Sequence, residues 1–197
     1  LALFDRQLVE LKAYSMTADI KDTYTRLEAT WNDYKATLVG AAPSREHAAR
    51  MLQLNTGVLT LAHQGTVQFE AVMGKPVGKL VNVAGRQRML SQRMAMLYLE
   101  AKLPMDTAAA TAEIEKARAE YVTGMATLHK ASETTTRIQD ELQLADSQWV
   151  FFDAALKKAG TGDVAAAKPM TDVFTASENL LTVMDRVTGM YAGLKAG

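Results

Sequence analysis

Cysteine is absent from the 197-residue sequence, which excludes disulfide frameworks, thiolate metal sites and cysteine nucleophiles. Charge of one sign is not in excess either, because 22 basic residues balance 22 acidic residues, and this disfavours a general nucleic-acid binder. No apolar run approaches the roughly 18 residues of a membrane-spanning helix, and the first residues do not resemble a secretory signal peptide. With 48% hydrophobic and 22% charged residues, the composition is that of an ordinary globular protein.

Proline is scarce, with four residues in the chain. The long stretches between the prolines are rich in Ala, Leu, Met, Glu, Lys and Gln, which favour helices, and alternating β-branched strands bounded by turns are missing. We therefore predict an all-α fold. The predicted helices, with their caps where the sequence supplies one, cover residues 1–14, 17–39 (Thr17), 44–73 (Ser44), 77–103, 106–131 (Asp106), 133–159 and 163–194 (Asp163).

The two tryptophans mark an internal repeat, because Trp31 and Leu38 recur 118 residues later as Trp149 and Leu156. We predict two up-and-down four-helix bundles in tandem, with a partial first module over residues 1–75 and a complete second module over residues 76–197. The second module opens with the helix from Val77, whereas the first has no equivalent, so the first module is expected to lack its first helix. The alternative is chance similarity between amphipathic helices.

Acidic residues are missing from residues 71–99, although this segment carries two lysines and three arginines. A helical wheel at 100° per residue gives one apolar face that is expected to pack in the core, formed by Val83, Leu90, Met94, Leu97 and Ala101. The opposite face carries a second seam with the 4-3-4-3-4 spacing of a coiled coil, formed by Val81, Gly85, Arg88, Gln92, Ala95 and Leu99. We expect the first face to pack on the protein's own bundle and the second seam to pack on a partner chain.

The centre of the second seam predicts an anion site. In a two-fold dimer the two Arg88 side chains would meet near the axis, and they would repel each other unless a negative group lies between them. A small planar oxyanion would suit the two guanidiniums, with Gly85 allowing close approach and with Gln92 and Ser91 as further donors. The spacing supports equally well an Arg88 that pairs with a carboxylate on a neighbouring helix.

Residues 82–95 read Asn-Val-Ala-Gly-Arg-Gln-Arg-Met-Leu-Ser-Gln-Arg-Met-Ala and closely resemble the signature of PilJ-type sensor domains, the extracytoplasmic input modules of type IV pilus chemotaxis transducers. They are also similar to the periplasmic box of nitrate/nitrite-sensing histidine kinases. In those kinases the first arginine of the box binds nitrate across a dimer interface; it matches Arg88, and the second matches Arg93. The resemblance implies a periplasmic four-helix bundle, a homodimer through the helix at 77–103, nitrate or nitrite as the ligand, and a membrane-bound signalling partner.

Two features depart from these families. Their transducers and kinases carry membrane spans and cytoplasmic signalling domains, whereas this sequence has neither, so an excised sensor region or a secreted protein is expected. The arginine motif also occurs once although the bundle is predicted twice. Within the motif, Arg86 and Arg93 are expected to organise the site or to pair with acidic residues of neighbouring helices.

Other chemistry is not indicated. The three histidines (His47, His63 and His129) lie far apart and none occurs in a Glu-x-x-His arrangement, so we expect no metal site and no cofactor. No catalytic triad, phosphate loop or pair of carboxylates is evident, so we do not expect an enzyme. The leading hypothesis is a sensory module for signal transduction or chemotaxis. The alternative is a structural or protein-interaction helical bundle with no small-molecule ligand.

Overall fold

The computed structural model describes residues 1–39, 42, 44–102, 107–158 and 167–194. Over these residues the fold is all-α, as predicted, and contains no strand. The chain divides into two compact units, Leu1–Gly74 and Lys75–Gly197, so the division falls one residue before the predicted module boundary. The helices of the described residues are α1 (Ala2–Ala13), α2 (Ala18–Val39), α3 (Arg45–Met73), α4 (Pro76–Glu100), α5 (Thr107–Lys130), α6 (Thr136–Lys158) and α7 (Ala167–Ala192).

Side-chain caps account for the start of two helices in the first unit. The Thr17 hydroxyl accepts the backbone N–H of Ile20 at 3.2 Å, and the Ser44 hydroxyl accepts that of His47 at 3.1 Å. Each cap satisfies an N–H that has no partner within its helix. Helix α3 ends at Gly74, whose φ of 60° lies in the left-handed region that favours glycine. The predicted caps at Thr17 and Ser44 are therefore confirmed.

One predicted helix start is wrong. Helix α6 begins at Thr136 and not at residue 133, because the Thr135 hydroxyl accepts the backbone N–H of Ile138 at 3.3 Å and so caps the helix there. The other two predicted caps, Asp106 and Asp163, lie outside the described residues.

The first unit packs α2 against α3 and attaches α1 to α2 mainly through side chains. The Trp31 ring lies on Phe4 with 4.1 Å between ring centroids, and its indole N–H donates to the Asp5 carboxylate at 2.7 Å. The ammonium group of Lys35 donates to the same carboxylate at 2.6 Å. The buried core of this unit consists of Leu8, Ile20, Tyr24, Leu27, Trp31, Val58 and Leu61.

The second unit is an up-and-down four-helix bundle in which neighbouring helices run antiparallel. Helix α4 packs on α5 and α7, and α6 packs on α7. Helices α5 and α6 are held further apart by large side chains between them, where Tyr121 stacks on Trp149 with 4.3 Å between ring centroids. The largest fully buried side chains of this core are Leu90, Met94, Tyr121, Leu128, Ile138, Leu142, Phe152, Leu180, Met184 and Tyr191.

The two tryptophans occupy similar settings in the two units. Trp31 packs on Phe4 of the preceding helix, and Trp149 packs on Tyr121 of the preceding helix. The two tryptophans that mark the repeat thus both pack on an aromatic ring, but the described part of the first unit has three helices and that of the second has four. The tandem arrangement of two modules stays a prediction.

Candidate functional site

Helix α4 carries the arginine motif and lies between α5 and α7. Because residues 71–99 contain no acidic side chain, none of the three arginines can pair within this segment, and each must find its counter-charge elsewhere. Successive arginines point in different directions around the helix, so the motif distributes its positive charge between the two neighbouring helices.

Arg86 and Arg93 face α5 and bind glutamates there. The Arg86 guanidinium makes two hydrogen bonds to Glu120, with Nε–Oε1 at 2.5 Å and Nη2–Oε2 at 3.2 Å. The Arg93 guanidinium donates through Nη2 to Oε2 of Glu113 at 3.0 Å. The Arg93 hydrogen bond, together with nearby Lys116, holds the pKa of the Glu113 carboxyl below its ordinary value of 4.5. The expectation that these two arginines pair with acidic residues of a neighbouring helix is confirmed.

Arg88 faces α7 and forms an ion pair with Asp185 through Nη1. The side chains of Arg88 and Asp185 are 39% and 66% exposed, whereas those of Arg86 and Arg93 are 26% and 18% exposed. Arg88 is therefore the most accessible guanidinium of the motif. Within the described part of the chain, Asp185 is its one ion-pair partner.

Two other predicted site residues lie on the same side of α4 as Arg88. The Gln92 amide donates through Nε2 to the backbone carbonyl of Ser177 at 3.3 Å. A Cβ atom added at Gly85 would lie 4.0 Å from the Thr188 side chain, which is ordinary van der Waals distance. The structure thus brings Gly85, Arg88 and Gln92 together along the boundary between α4 and α7.

Part of the second seam packs within the chain. Arg88 and Gln92 contact α7 of the same chain, and Gly85 faces Thr188 of α7, whereas the pairing of this helix with a partner chain stays a prediction. The 4-3-4-3-4 spacing correctly indicates that this side packs against a helix, but it does not specify which helix. In a four-helix bundle each helix contacts two neighbours, so two seams on one helix are satisfied without a second chain.

Ser91 lies inside the bundle and not on the seam. Its side chain is fully buried, and its hydroxyl donates to the backbone carbonyl of Arg88 at 2.8 Å. It therefore fixes the turn of α4 that carries Arg88, although its hydroxyl is not presented at the boundary with α7. The six predicted site residues consequently divide between the α7 side (Gly85, Arg88, Gln92), the α5 side (Arg86, Arg93) and the interior (Ser91).

Sequence reasoning missed three polar residues that accompany the motif. Asp185 and Ser177 on α7 meet Arg88 and Gln92, and they belong to a series with seam-like spacing, Ser177, Leu181, Asp185 and Thr188, that could have identified them. Gln87 is fully buried and donates through Nε2 to the Val83 carbonyl at 2.9 Å, while its Oε1 has no hydrogen-bond partner among the described residues. Gln87 lies between core residues in the sequence of α4, and this position could have indicated that it is buried.

The described residues offer little support for other kinds of site. Among them, no three His, Asp or Glu side chains cluster in a way that could hold a metal ion. None of the described helices combines the length and the hydropathy that are needed to cross a membrane.

Comparison with known families identifies the second unit. A family model described as PilJ, Type IV pili methyl-accepting chemotaxis transducer N-term, matches residues 74–178, which are 105 of the 197 residues and just over half of the chain. The matched segment contains α4, α5, α6 and the beginning of α7. Comparisons with curated proteins and with solved structures found no match.

Proposed function

Because the chain belongs to the PilJ family of type IV pili methyl-accepting chemotaxis transducer N-terminal domains, we propose that it is a periplasmic module that binds a small oxyanion at Arg88. The proposed oxyanion is nitrate or nitrite. Domains of this family are extracytoplasmic sensing domains in signal transduction or chemotaxis. The family is a sensory one and not a catalytic one. A membrane-bound signalling partner would receive the signal.

The observation that carries this proposal is the difference between Arg88 and the other two arginines. Arg86 makes a two-point contact with Glu120, and the Arg93 side chain is largely buried against Glu113. Among the residues that the structure describes, Arg88 has one carboxylate partner, the exposed Asp185. A guanidinium has five N–H donors in a planar fork, and this fork matches the planar oxygens of nitrate or nitrite. Arg88 therefore retains donors that a small anion can use.

A second copy of the chain would strengthen such a site. One guanidinium that is exposed to water binds a monovalent anion weakly, because water screens the attraction. If two chains pair through α4, their two Arg88 side chains can approach a common axis and share one anion between them. In this arrangement the ligand favours the dimer, and a shift of helices at the interface carries the signal.

A second candidate function is a helical bundle with no small-molecule ligand, which acts through protein interactions. The ion pair between Arg88 and Asp185 favours it, because the charge of Arg88 is already compensated within the chain. The packing of Gly85 and Gln92 against α7 favours it as well, because this seam is then occupied in the monomer. The two candidates differ in whether an anion binds at Arg88.

Isothermal titration calorimetry with sodium nitrate and sodium nitrite tests the proposal, with wild-type protein, Arg88→Ala and the control Arg186→Ala. Arg186 is a matched control because it is also a partly exposed arginine of the second unit with one carboxylate partner, Glu141. We expect the affinity of Arg88→Ala for these anions to fall by about tenfold or more, which corresponds to about 1.4 kcal/mol. Arg186→Ala should bind them like wild type. Equal heats for all three proteins would remove Arg88 from the site.

Sedimentation with and without nitrate tests the dimer separately. We expect nitrate to raise the dimer fraction of the wild-type protein and to leave that of Arg88→Ala unchanged, because binding to one state shifts the equilibrium toward it. If neither nitrate nor nitrite produces heat in the calorimetric titration, a helical bundle that acts through protein interactions becomes the better description.

A further inference from the structure

We infer that Asp185 is a built-in competitor of the anion at Arg88, so that the carboxylate and the ligand occupy the guanidinium in turn; this inference rests on the proposed function. Asp185 lies on α7 and binds Nη1 of Arg88, which is part of the guanidinium fork on which the ligand would bind. A carboxylate has the same charge as nitrate and offers similar oxygen acceptors. While it is in place, the charge of Arg88 is compensated, and a second anion would be repelled by the first.

The exposure of Asp185 makes the exchange feasible. Its side chain is two-thirds exposed, so the carboxylate can turn into water without leaving a buried charge unpaired. Exposed ion pairs are weak and screened by salt. The carboxylate on Arg86 is held differently, because Glu120 accepts two hydrogen bonds from its guanidinium. Of these two carboxylates, Asp185 is the one that a small anion can displace with little loss of ion-pair stabilisation.

Displacement of Asp185 would also change how α7 is held. The next residue, Arg186, binds Glu141 on α6 through Nη2 and Nε at 2.9 and 3.1 Å. Adjacent residues of α7 thus make one ionic contact with α4 and one with α6. An anion that replaces Asp185 at Arg88 breaks the contact with α4 and leaves the contact with α6. Ligand binding is thereby coupled to the position of α7 against α4, which gives the two-state element that a sensor needs.

Titration with sodium nitrate at constant ionic strength tests the inference by comparing wild type with Asp185→Asn. The asparagine keeps the shape of the side chain and removes its charge. We expect nitrate to bind about two- to fivefold more tightly, because the ligand no longer competes with an exposed ion pair. Glu141→Gln is the control, since it removes one negative charge from an arginine partner on the other side of α7, and its affinity should equal that of wild type.

Each other outcome has a definite meaning. Unchanged or weaker binding by Asp185→Asn, while Arg88→Ala abolishes binding in the wild-type background, would overturn the competitor role and leave the proposed function intact. An equal gain in Glu141→Gln would show a general effect of charge and would also overturn it. Absence of binding in every protein, Asp185→Asn included, would overturn the proposed function itself. Circular dichroism of each variant, including a second variant, Asp185→Ser, checks that the fold is unchanged.

Discussion

Gln87 of α4 packs closely against Gly124 of α5. A Cβ atom added at Gly124 would lie 2.7 Å from Cδ of Gln87 and would overlap its amide nitrogen. Real Cβ atoms do not approach other atoms so closely, so a side chain at residue 124 would force the buried Gln87 amide to move. The fully buried Gln87 side chain is thus accommodated by the absence of a side chain on the neighbouring helix.

Gly124→Ala is therefore expected to destabilise the second unit by about 1–3 kcal/mol, because the added methyl group forces Gln87 or the helices apart. The free energy of unfolding in urea measures the change. Gly189→Ala is the matched control, because Gly189 also lies within a helix and a Cβ there meets no described atom within 4 Å. Alanine at this position should be neutral or stabilise by up to about 1 kcal/mol. In the Gln87→Ala background, Gly124→Ala should have little effect; an undiminished effect would contradict this account.

At the level of single residues, the sequence predicts that an arginine needs a counter-charge more reliably than it predicts which residue supplies that charge. The absence of acids around the motif indicated that all three arginines must find counter-charges elsewhere. For Arg86 and Arg93 this was sufficient, because helical neighbours follow α4 in the sequence. Asp185 lies 97 residues from Arg88, and only the bundle topology brings the two together. No local pattern around Arg88 distinguishes that carboxylate from a bound anion.

At the level of elements, α1 is held to its neighbour by a few polar and aromatic contacts. Asp5 accepts hydrogen bonds from the Trp31 indole and from Lys35, and both lower the pKa of its carboxyl, with Lys35 the larger cause. The Phe4 ring adds an aromatic contact with Trp31. A short helix with so few buried residues depends on such contacts for its attachment.

Trp31→Phe is expected to loosen α1, because phenylalanine keeps the ring but loses the N–H that binds Asp5. Without this hydrogen bond α1 should open more often, and hydrogen exchange of its amides should accelerate by about fivefold. Trp149→Phe is the control, since the Trp149 indole makes no hydrogen bond within the described residues. Equal exchange of α1 in wild type and Trp31→Phe would contradict the role of this hydrogen bond.

The ion pairs between helices of the second unit predict a loss of stability in acid. The Arg93 hydrogen bond lowers the pKa of Glu113. Burial raises the pKa of Asp153, but hydrogen bonds from Lys157 and Arg118 outweigh it, and the net shift is downward. A lowered pKa in the folded state means that the stabilisation is fully present above the ordinary pKa, near 4, and is lost as the pH falls through the folded-state pKa. Unfolding free energy should therefore decline below about pH 5.

Glu113→Gln isolates one part of this decline. The variant should be less stable than wild type at pH 7, and the difference should shrink as the pH falls toward 2, because the wild-type carboxylate is then protonated. Glu178→Gln, which changes a solvent-exposed glutamate of α7, serves as the control and should match wild type throughout. A Glu113→Gln difference that stays constant with pH would show that the carboxylate charge does not stabilise the bundle.

The helices themselves could be predicted from the sequence, whereas the element that packs against each helix face was harder to predict. The apolar face of α4 was correct for Leu90, Met94 and Leu97, which are buried, because 3.6-residue periodicity is an intrinsic property of any packed helix. The opposite seam was also a real packing surface, but it packs against α7. Periodicity reports that a face is covered and carries no information on what covers it.

At the level of the whole molecule, each unit has its own hydrophobic core, and the two cores share no residue. The core of the second unit is larger and is built from four helices; that of the first is built from three helices of the described chain. Each core buries apolar side chains whose removal from water stabilises its own unit. The composition indicated a globular protein, but it could not show two separate cores, because counting apolar residues does not tell which of them meet.

Separate cores predict two cooperative transitions when the protein is heated in a calorimeter. Leu27→Ala should lower the transition of the first unit and Leu142→Ala that of the second, each by about 2–5 kcal/mol of unfolding free energy, because both leucines are almost completely buried and their truncation leaves a cavity. Val150→Ala, an exposed apolar residue of α6, is the control and should move neither transition. If Leu27→Ala and Leu142→Ala each shifted both transitions together, the units would unfold as one cooperative body and the separation of the cores would have no energetic consequence.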